Sequence, residues 1–365
     1  MNYSSRYKKL ISPLSFLRAF NNNVVIIGDG AGWVIDNVTS NLNHSLNKNG
    51  IRSCVIDSSS MKYFRLLKDK VLFFIDRWAC LDSEKENLIK IISQKNKIIL
   101  TWWHSGAGGN NIELLQSIDT VKRISKYLTF IHAPCLQEYN FLIGHGIGAD
   151  KIKVVPEGIE DFFKPLPPGE KTRNRKRLGI PEDAFCIGYF QKDGIGWGEG
   201  NNPKREKGPD IFIETVSMLF KKYGNISIVL TGPSRGYVKE GLRKAGIPFI
   251  HEFLKNYQDI VKFYGVLDLY LITSRNEGGP KSVLEAMACG IPVVSTRVGM
   301  CSDIIRDNQN GFLCDVENID QLYEKSEKLI LNEELRNKFK ENGLETVKSY
   351  LWDKVAQLFI KRCLL

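Results

Sequence analysis

The chain has 365 residues, 43% of them hydrophobic and 25% charged, with a formal net charge of +10. That balance excludes a disordered or fibrous chain and points to two globular domains. The excess of cations suits an anionic small molecule or an acidic lipid surface; with no recognised nucleic-acid motif beside it, no nucleic-acid partner is expected.

In chain order, the opening MNYSSRYKKLISPLSFLRAF is basic and then mildly apolar. It lacks the continuous apolar region of a signal peptide. Its leucines at helical spacing read as a membrane-surface helix or as a plain surface extension. No apolar run approaches the roughly 18 residues that span a bilayer. Short apolar runs then alternate with amphipathic segments. The predicted strands are Val24–Gly28, Ser53–Asp57, Val71–Asp76, Lys97–Thr101, Tyr127–His132 and Lys153–Pro156, with a helix from Trp33 to Lys48. Strands separated by helices imply parallel βαβ units. The proline- and charge-rich DFFKPLPPGEKTRNRKRLGIPEDAF reads as a domain junction. The pattern restarts with strands at Phe185–Phe190, Ile226–Thr231, Pro248–Ile250, Leu267–Thr273, Pro292–Ser295 and Phe312–Cys314. Eight cysteines are scattered without C-x-x-C spacing, which suggests neither zinc nor a redox pair and fits a reducing compartment.

Ligands of such sheets bind beyond the carboxyl ends of strands, so the loops after strands carry the interest. One stretch stands out: EGGPKSVLEAMACGIPVVSTRVG, Glu277 to Gly299. Gly278 and Gly279 allow close backbone approach, and Pro280 suits the first turn of a helix predicted over Lys281–Cys289. A helix start presents free N–H groups and can hold a phosphate, with Gly279, Lys281 and Ser282 as donors. Glu285 lies about one and a half turns along, alone in an apolar segment where a charge needs a partner or a purpose. A carboxylate on each side of a phosphate site suits a ligand with hydroxyls at both ends of a diphosphate.

This stretch resembles the donor-binding E-x7-E signature of the group 1 glycosyltransferases. Val154–Pro165 (VVPEGIEDFFKP) resembles that family's interdomain segment, LGIPEDAFCIGYF the entry to its second domain, Lys207-Gly208-Pro209-Asp210 its KG-D, and SYLWDKVAQLF its closing helix. The resemblance implies an α/β, GT-B fold with two Rossmann-like doubly wound domains facing a central cleft. It places an acceptor-side domain at 1–160, completed by a crossover helix at 350–365, and a donor-binding domain at 161–349. It implies transfer of a sugar from a nucleotide diphosphate-sugar, a UDP-sugar on family grounds, to a hydroxyl of a sugar or glycolipid acceptor, with retention. Glycan or glycoconjugate synthesis in the cytoplasm, at or near the inner membrane face, is the expected setting.

The family pattern gives each matching residue an expected role. Glu277, His104 and Lys207 form the catalytic set. His104, in TWWHSGAGG, can equally be a structural histidine beside two tryptophans. The Arg of the family's phosphate pair falls on Lys192, with Arg205 as its substitute, in a long glycine-rich loop expected to be a flexible lid. Gly232 lines the nucleotide pocket, and Gly30 and Gly32 the phosphate and acceptor loop. No Asp-x-Asp occurs, so neither a metal nor another cofactor is expected. The rival readings are a same-fold phosphorylase or nucleotide-sugar epimerase, and a non-catalytic sugar-binding module.

Overall fold

The structure is a computed structural model that describes residues 13–28, 34–75, 91, 94–103 and 112–365. It divides into two compact units, Met1–Gly158 with Tyr350–Leu365, and Ile159–Ser349.

The first unit carries β1 (Val24–Gly28), β2 (Ser53–Asp57), β3 (Val71–Phe74), β4 (Lys97–Thr101), β5 (Phe130–Ala133) and β6 (Ile152–Val154). All pair in parallel in the order β2-β1-β3-β4-β5-β6. Its helices include α1 (Pro13–Phe20), α2 (Val34–Lys48), α3 (Ile112–Ile124) and α4 (Leu136–Gly144). Alternation along β1 sorts its side chains onto two faces. Val25 and Ile27 join Phe16, Ile118, Val121 and Leu142. Val24 and Ile26 join Val38, Leu42, Trp352, Val355 and Phe359. The last three come from the C-terminal helix Trp352–Phe359, which is therefore part of the first unit's core. Gly158 has to be glycine here: a Cβ would lie 2.4 Å from the Trp352 ring.

The second unit carries β7 (Phe185–Tyr189), β8 (Ile226–Thr231), β9 (Phe249–Glu252), β10 (Leu269–Ile272), β11 (Val293–Thr296) and β12 (Phe312–Cys314). They are again parallel, in the order β12-β11-β10-β7-β8-β9. Its helices are α5 (Glu170–Leu178), α6 (Pro209–Tyr223), α7 (Gly236–Lys244), α8 (Ile260–Tyr264), α9 (Ser282–Ala288), α10 (Cys301–Ile304), α11 (Ile319–Leu331) and α12 (Glu333–Val347). The first strand in sequence, β7, sits beside β10, and the winding reverses between them. That reversal opens a crevice at the carboxyl ends of these two strands.

Two expectations need correction. Residues 161–185 are not a free junction, because they lie within the second unit and contain α5. Their prolines and charges hide a folded segment. Arg175 is buried, donates to Val266 O and Ala184 O, and pairs with Asp268 at 2.6 Å. The segment predicted as strand from Tyr127 instead opens with a 3-10 turn, Ser125–Tyr127, and pairing begins at Phe130. Seven cysteines are free and buried among the described residues.

Candidate functional site

The chain leaves β7 through Phe190 and Gln191, and leaves β10 through Thr273 and Ser274. These two exits meet at Glu277. Its Oε2 accepts from Lys207 Nζ at 2.6 Å. Its Oε1 accepts from Gln191 Nε2 and from Ser274 Oγ, each at 2.9 Å. Gln191 Nε2 also donates to Ser274 Oγ at 2.9 Å. Glu277 is 9% exposed and Gln191 8%. A carboxylate this buried needs hydrogen bonds on both oxygens, and it has them.

The surrounding backbone is built to bring these groups together. Lys207 precedes Gly208, whose φ of +62° is left-handed and starts α6. A Cβ at Gly208 would lie 1.9 Å from Thr273 O, so only glycine lets the lysine loop lie against the end of β10. Thr273 Oγ1 donates to Gly208 O at 2.8 Å and closes the same contact. Arg275 grips Asp210 with two nitrogens, at 2.8 and 2.9 Å, and donates through Nε to Glu317. This bidentate fork ties the loop before Glu277 to the start of α6. Thr296 Oγ1 donates to Ser274 O at 2.6 Å, and Met300 N to Gly278 O at 3.1 Å.

Glu285 lies within α9 and is buried, but it is not alone. Its Oε1 accepts from Tyr257 OH, and its Oε2 accepts from Tyr264 OH at 2.7 Å. Burial pushes its carboxyl above the ordinary range, against the pull of Lys281 and the two hydroxyls. Tyr264 is fully buried, whereas Tyr257 is 38% exposed. One oxygen of Glu285 is thus held from the core and the other by a side chain at the surface.

The other predicted residues fall into distinct places. Gly278, Gly279 and Pro280 follow Glu277 as expected, but α9 begins at Ser282 and runs only seven residues. Lys281 occupies its N-cap position, and its ammonium pairs with buried Glu160 at 2.6 Å. Gly232 has a φ of +83° and accepts from His251 Nε2 at 2.7 Å. Lys192 and Arg205 are not drawn to Glu277. Lys192 Nζ lies 4.0 Å from the centre of the Trp197 ring, and Arg205 pairs with Asp210 in an exposed setting. Burial and the Lys204 ammonium lower the Lys192 pKa. His104, Gly30 and Gly32 lie outside the described residues.

The glycine-rich loop is tied down rather than free. Lys204 N donates to Asp193 O at 2.6 Å, and Ile195 N to Asn202 O at 2.9 Å, which closes its base. Gly236 N and Tyr237 N, at the start of α7, donate to Glu199 O and Gly200 O. Ser234 Oγ reaches Gly196 O and Gly198 O. Asp193 pairs with Arg235 at 2.5 Å, both side chains fully buried. The glycines therefore serve close packing: a Cβ at Gly200 would lie 2.3 Å from the Ser234 backbone. At the tip, the large apolar side chains of Ile195 and Trp197 stand out, 62% and 59% exposed.

Sequence reasoning missed Gln191, Ser274, Tyr257, Tyr264 and Glu160. The first two follow β7 and β10, so strand-exit position was the available signal. The tyrosines and Glu160 carried none, because their partners lie far along the chain. Among the described residues, no three His, Cys, Asp or Glu side chains converge as a metal site. No described helix is long and apolar enough to cross a membrane.

Residues 201–346 match the family described as glycosyl transferases group 1. An uncharacterized glycosyltransferase of Methanocaldococcus jannaschii is 33% identical over 41% of this chain and 42% of its own length. A D-inositol 3-phosphate glycosyltransferase of Corynebacterium jeikeium is 28% identical over 62% of this chain and 54% of its own. The chain thus spans about half the length of these curated relatives. In solved structures, Anabaena HepE in complex with UDP-glucose superposes with a TM-score of 0.74 at 15% identity, covering 93% of this chain and 98% of that one. Sucrose-phosphate synthase from Thermosynechococcus elongatus gives 0.73 at 14% identity, covering 93% and 97%. Both likenesses are of fold, and the fold is GT-B. The E-x7-E stretch and Lys207-Gly208 fall within the matched residues 201–346, so the likeness to the group 1 glycosyltransferases is carried by that part of the second unit.

Proposed function

We propose that the chain is a glycosyltransferase that moves a sugar from a nucleotide diphosphate-sugar to a hydroxyl of a sugar or glycolipid acceptor, with retention. The observation that carries this reading is the Lys207–Glu277 pair, fixed at the crevice between β7 and β10. Lys207 neutralises the diphosphate as the anomeric carbon–oxygen bond breaks. Glu277 accepts hydrogen bonds from hydroxyls of the transferred sugar. Glu285 accepts from the ribose. Gly278 and Gly279 admit the phosphates close to backbone. The acceptor oxygen forms the new bond to the anomeric carbon, and its proton passes to the leaving diphosphate. No enzyme nucleophile enters this scheme, so catalysis rests on positioning and on charge at the leaving group.

UDP-sugar is the donor we assign. Support comes from HepE, which has this fold and is described with UDP and UDP-glucose. Synthesis of a cell-surface glycan or glycoconjugate, on the cytoplasmic side of the membrane, is the setting that goes with it. A lipopolysaccharide core mannosyltransferase of Rhizobium meliloti, 30% identical over 42% of this chain, supports that choice.

Thermal shift across UDP, GDP and ADP sugars, with and without a chelator, tests the reading. We expect stabilisation by a UDP-sugar that survives the chelator, because Lys207 supplies the phosphate's counter-charge. Absence of any nucleotide response would sink the assignment, and binding lost with the chelator would sink the metal-free account.

A further inference from the structure

We infer that Gln191 is a positioning residue for Glu277, an assignment that rests on the transferase reading above. Glu277 has one charged partner and two neutral ones. Lys207 holds Oε2 at 2.6 Å, while Gln191 and Ser274 hold Oε1 at 2.9 Å each. The lysine alone does not fix the carboxylate, because an ammonium on a flexible four-carbon stem is a point charge without a preferred plane. Its work on the diphosphate also requires it to share its protons with the ligand. The Gln191 amide bonds Glu277 and Ser274 through one nitrogen, closing a three-membered ring of donors and acceptors. That ring sets the plane of the carboxylate without help from the cation.

Gln191 is itself held in place. It lies 8% exposed. Directly before it, Phe190 N donates to Tyr270 OH at 3.2 Å. Two residues after it, Asp193 enters the buried pair with Arg235. The backbone is therefore anchored on both sides of the glutamine. Gln191 Oε1 is buried and has no hydrogen-bond partner among the described residues. A buried amide oxygen left open is costly. The contacts of this side chain are made by its nitrogen, and that nitrogen holds Glu277.

The test uses the full chain and two variants. Gln191→Met removes the amide at similar volume. It is expected to lower kcat about tenfold to a hundredfold, as a misaligned carboxylate does, with the Kd for UDP within about twofold of wild type, since the nucleotide contacts are elsewhere. Gln191→Glu keeps the size but sets a second carboxylate against Oε1. Two such groups cannot both ionise without penalty, so the acid limb of the kcat/KM profile is expected to move to higher pH, a change that loss of packing does not produce. The measurement stands even where the methionine variant folds poorly. Wild-type kcat in Gln191→Met, or an unmoved acid limb in Gln191→Glu, overturns the positioning role while leaving the transferase reading intact. A wild-type chain that neither binds nor turns over any nucleotide sugar overturns both.

Discussion

The two units differ in the partners of their buried polar groups. In the first, buried Glu138 accepts from the neutral Trp102 Nε1 at 3.0 Å. His132 lies within the core, its Nε2–H donating to Val155 O at 2.7 Å and its Nδ1 accepting from Thr101 Oγ1 at 3.1 Å. In the second, ionised groups meet in pairs: Lys207 with Glu277, Lys281 with Glu160, Arg235 with Asp193. Both sheets are parallel and six-stranded, so the architecture does not demand the difference. Breaking a buried pair costs far more than a hydrophobic isostere gains. The Lys207–Glu277 pair lies at the carboxyl ends of β7 and β10, where the ligand site is proposed.

The largest expected effect follows directly. Glu277→Ala should lower turnover at least a thousandfold, about 4 kcal/mol of barrier, in a chain that still folds but melts at a lower temperature because Lys207 loses its partner; turnover near wild type in a steady-state assay would erase the contrast between site and scaffold. The first unit should instead respond to pH. Burial lowers the His132 pKa from 6.5 to about 4. The unfolded chain takes up a proton below 6.5 that the folded chain refuses until about 4, so stability is present above this window and falls as pH drops through it. The loss should reach roughly 3 kcal/mol, and urea midpoints from pH 7 to 4 in wild type and His132→Gln would show a steeper slope for wild type. Glu285→Gln keeps the tyrosine contacts within reach but removes the charge. UDP affinity by calorimetry should fall about tenfold, the value of one charge-assisted hydrogen bond; an unchanged Kd would remove Glu285 from the nucleotide. The smallest effect belongs to Arg205→Ala. Asp210 keeps its bidentate Arg275, and an exposed pair is worth about 0–1 kcal/mol, so kcat/KM should move less than about threefold. A larger loss would return Arg205 to the phosphate set.

Much of this was legible in the chain. The apolar runs announced twelve described strands, and the family resemblance singled out Glu277 and Lys207, whose contact across 70 residues no spacing foretold. What stayed hidden depended on distant partners. Glu285 looks solitary in VLEAMACG, because Tyr257 and Tyr264 reach it from a turn and helix more than twenty residues earlier. The run from Asp161 to Phe185 looks like linker because its composition is polar, yet Arg175 spends that polarity on backbone carbonyls inside the unit. The glycines of residues 194–200 suggest mobility when counted and immobility when their neighbours are seen.

That pinned loop has a consequence for how the protein could diversify. Most of its anchors are main-chain groups, and the side chains it needs, Asp193, Ser234 and Arg235, lie at its base or on the neighbouring helix. Ile195 joins that anchoring through its main chain alone, Ile195 N donating to Asn202 O, and its apolar side chain stands exposed, so the tip side chains can change while the backbone bonds of the base stay available. Gln191 sits on the fixed side of that division. The loop thus presents an exposed tip on a pinned base, and a library randomised at 195 and 197 would show how far that surface can change without loss of fold.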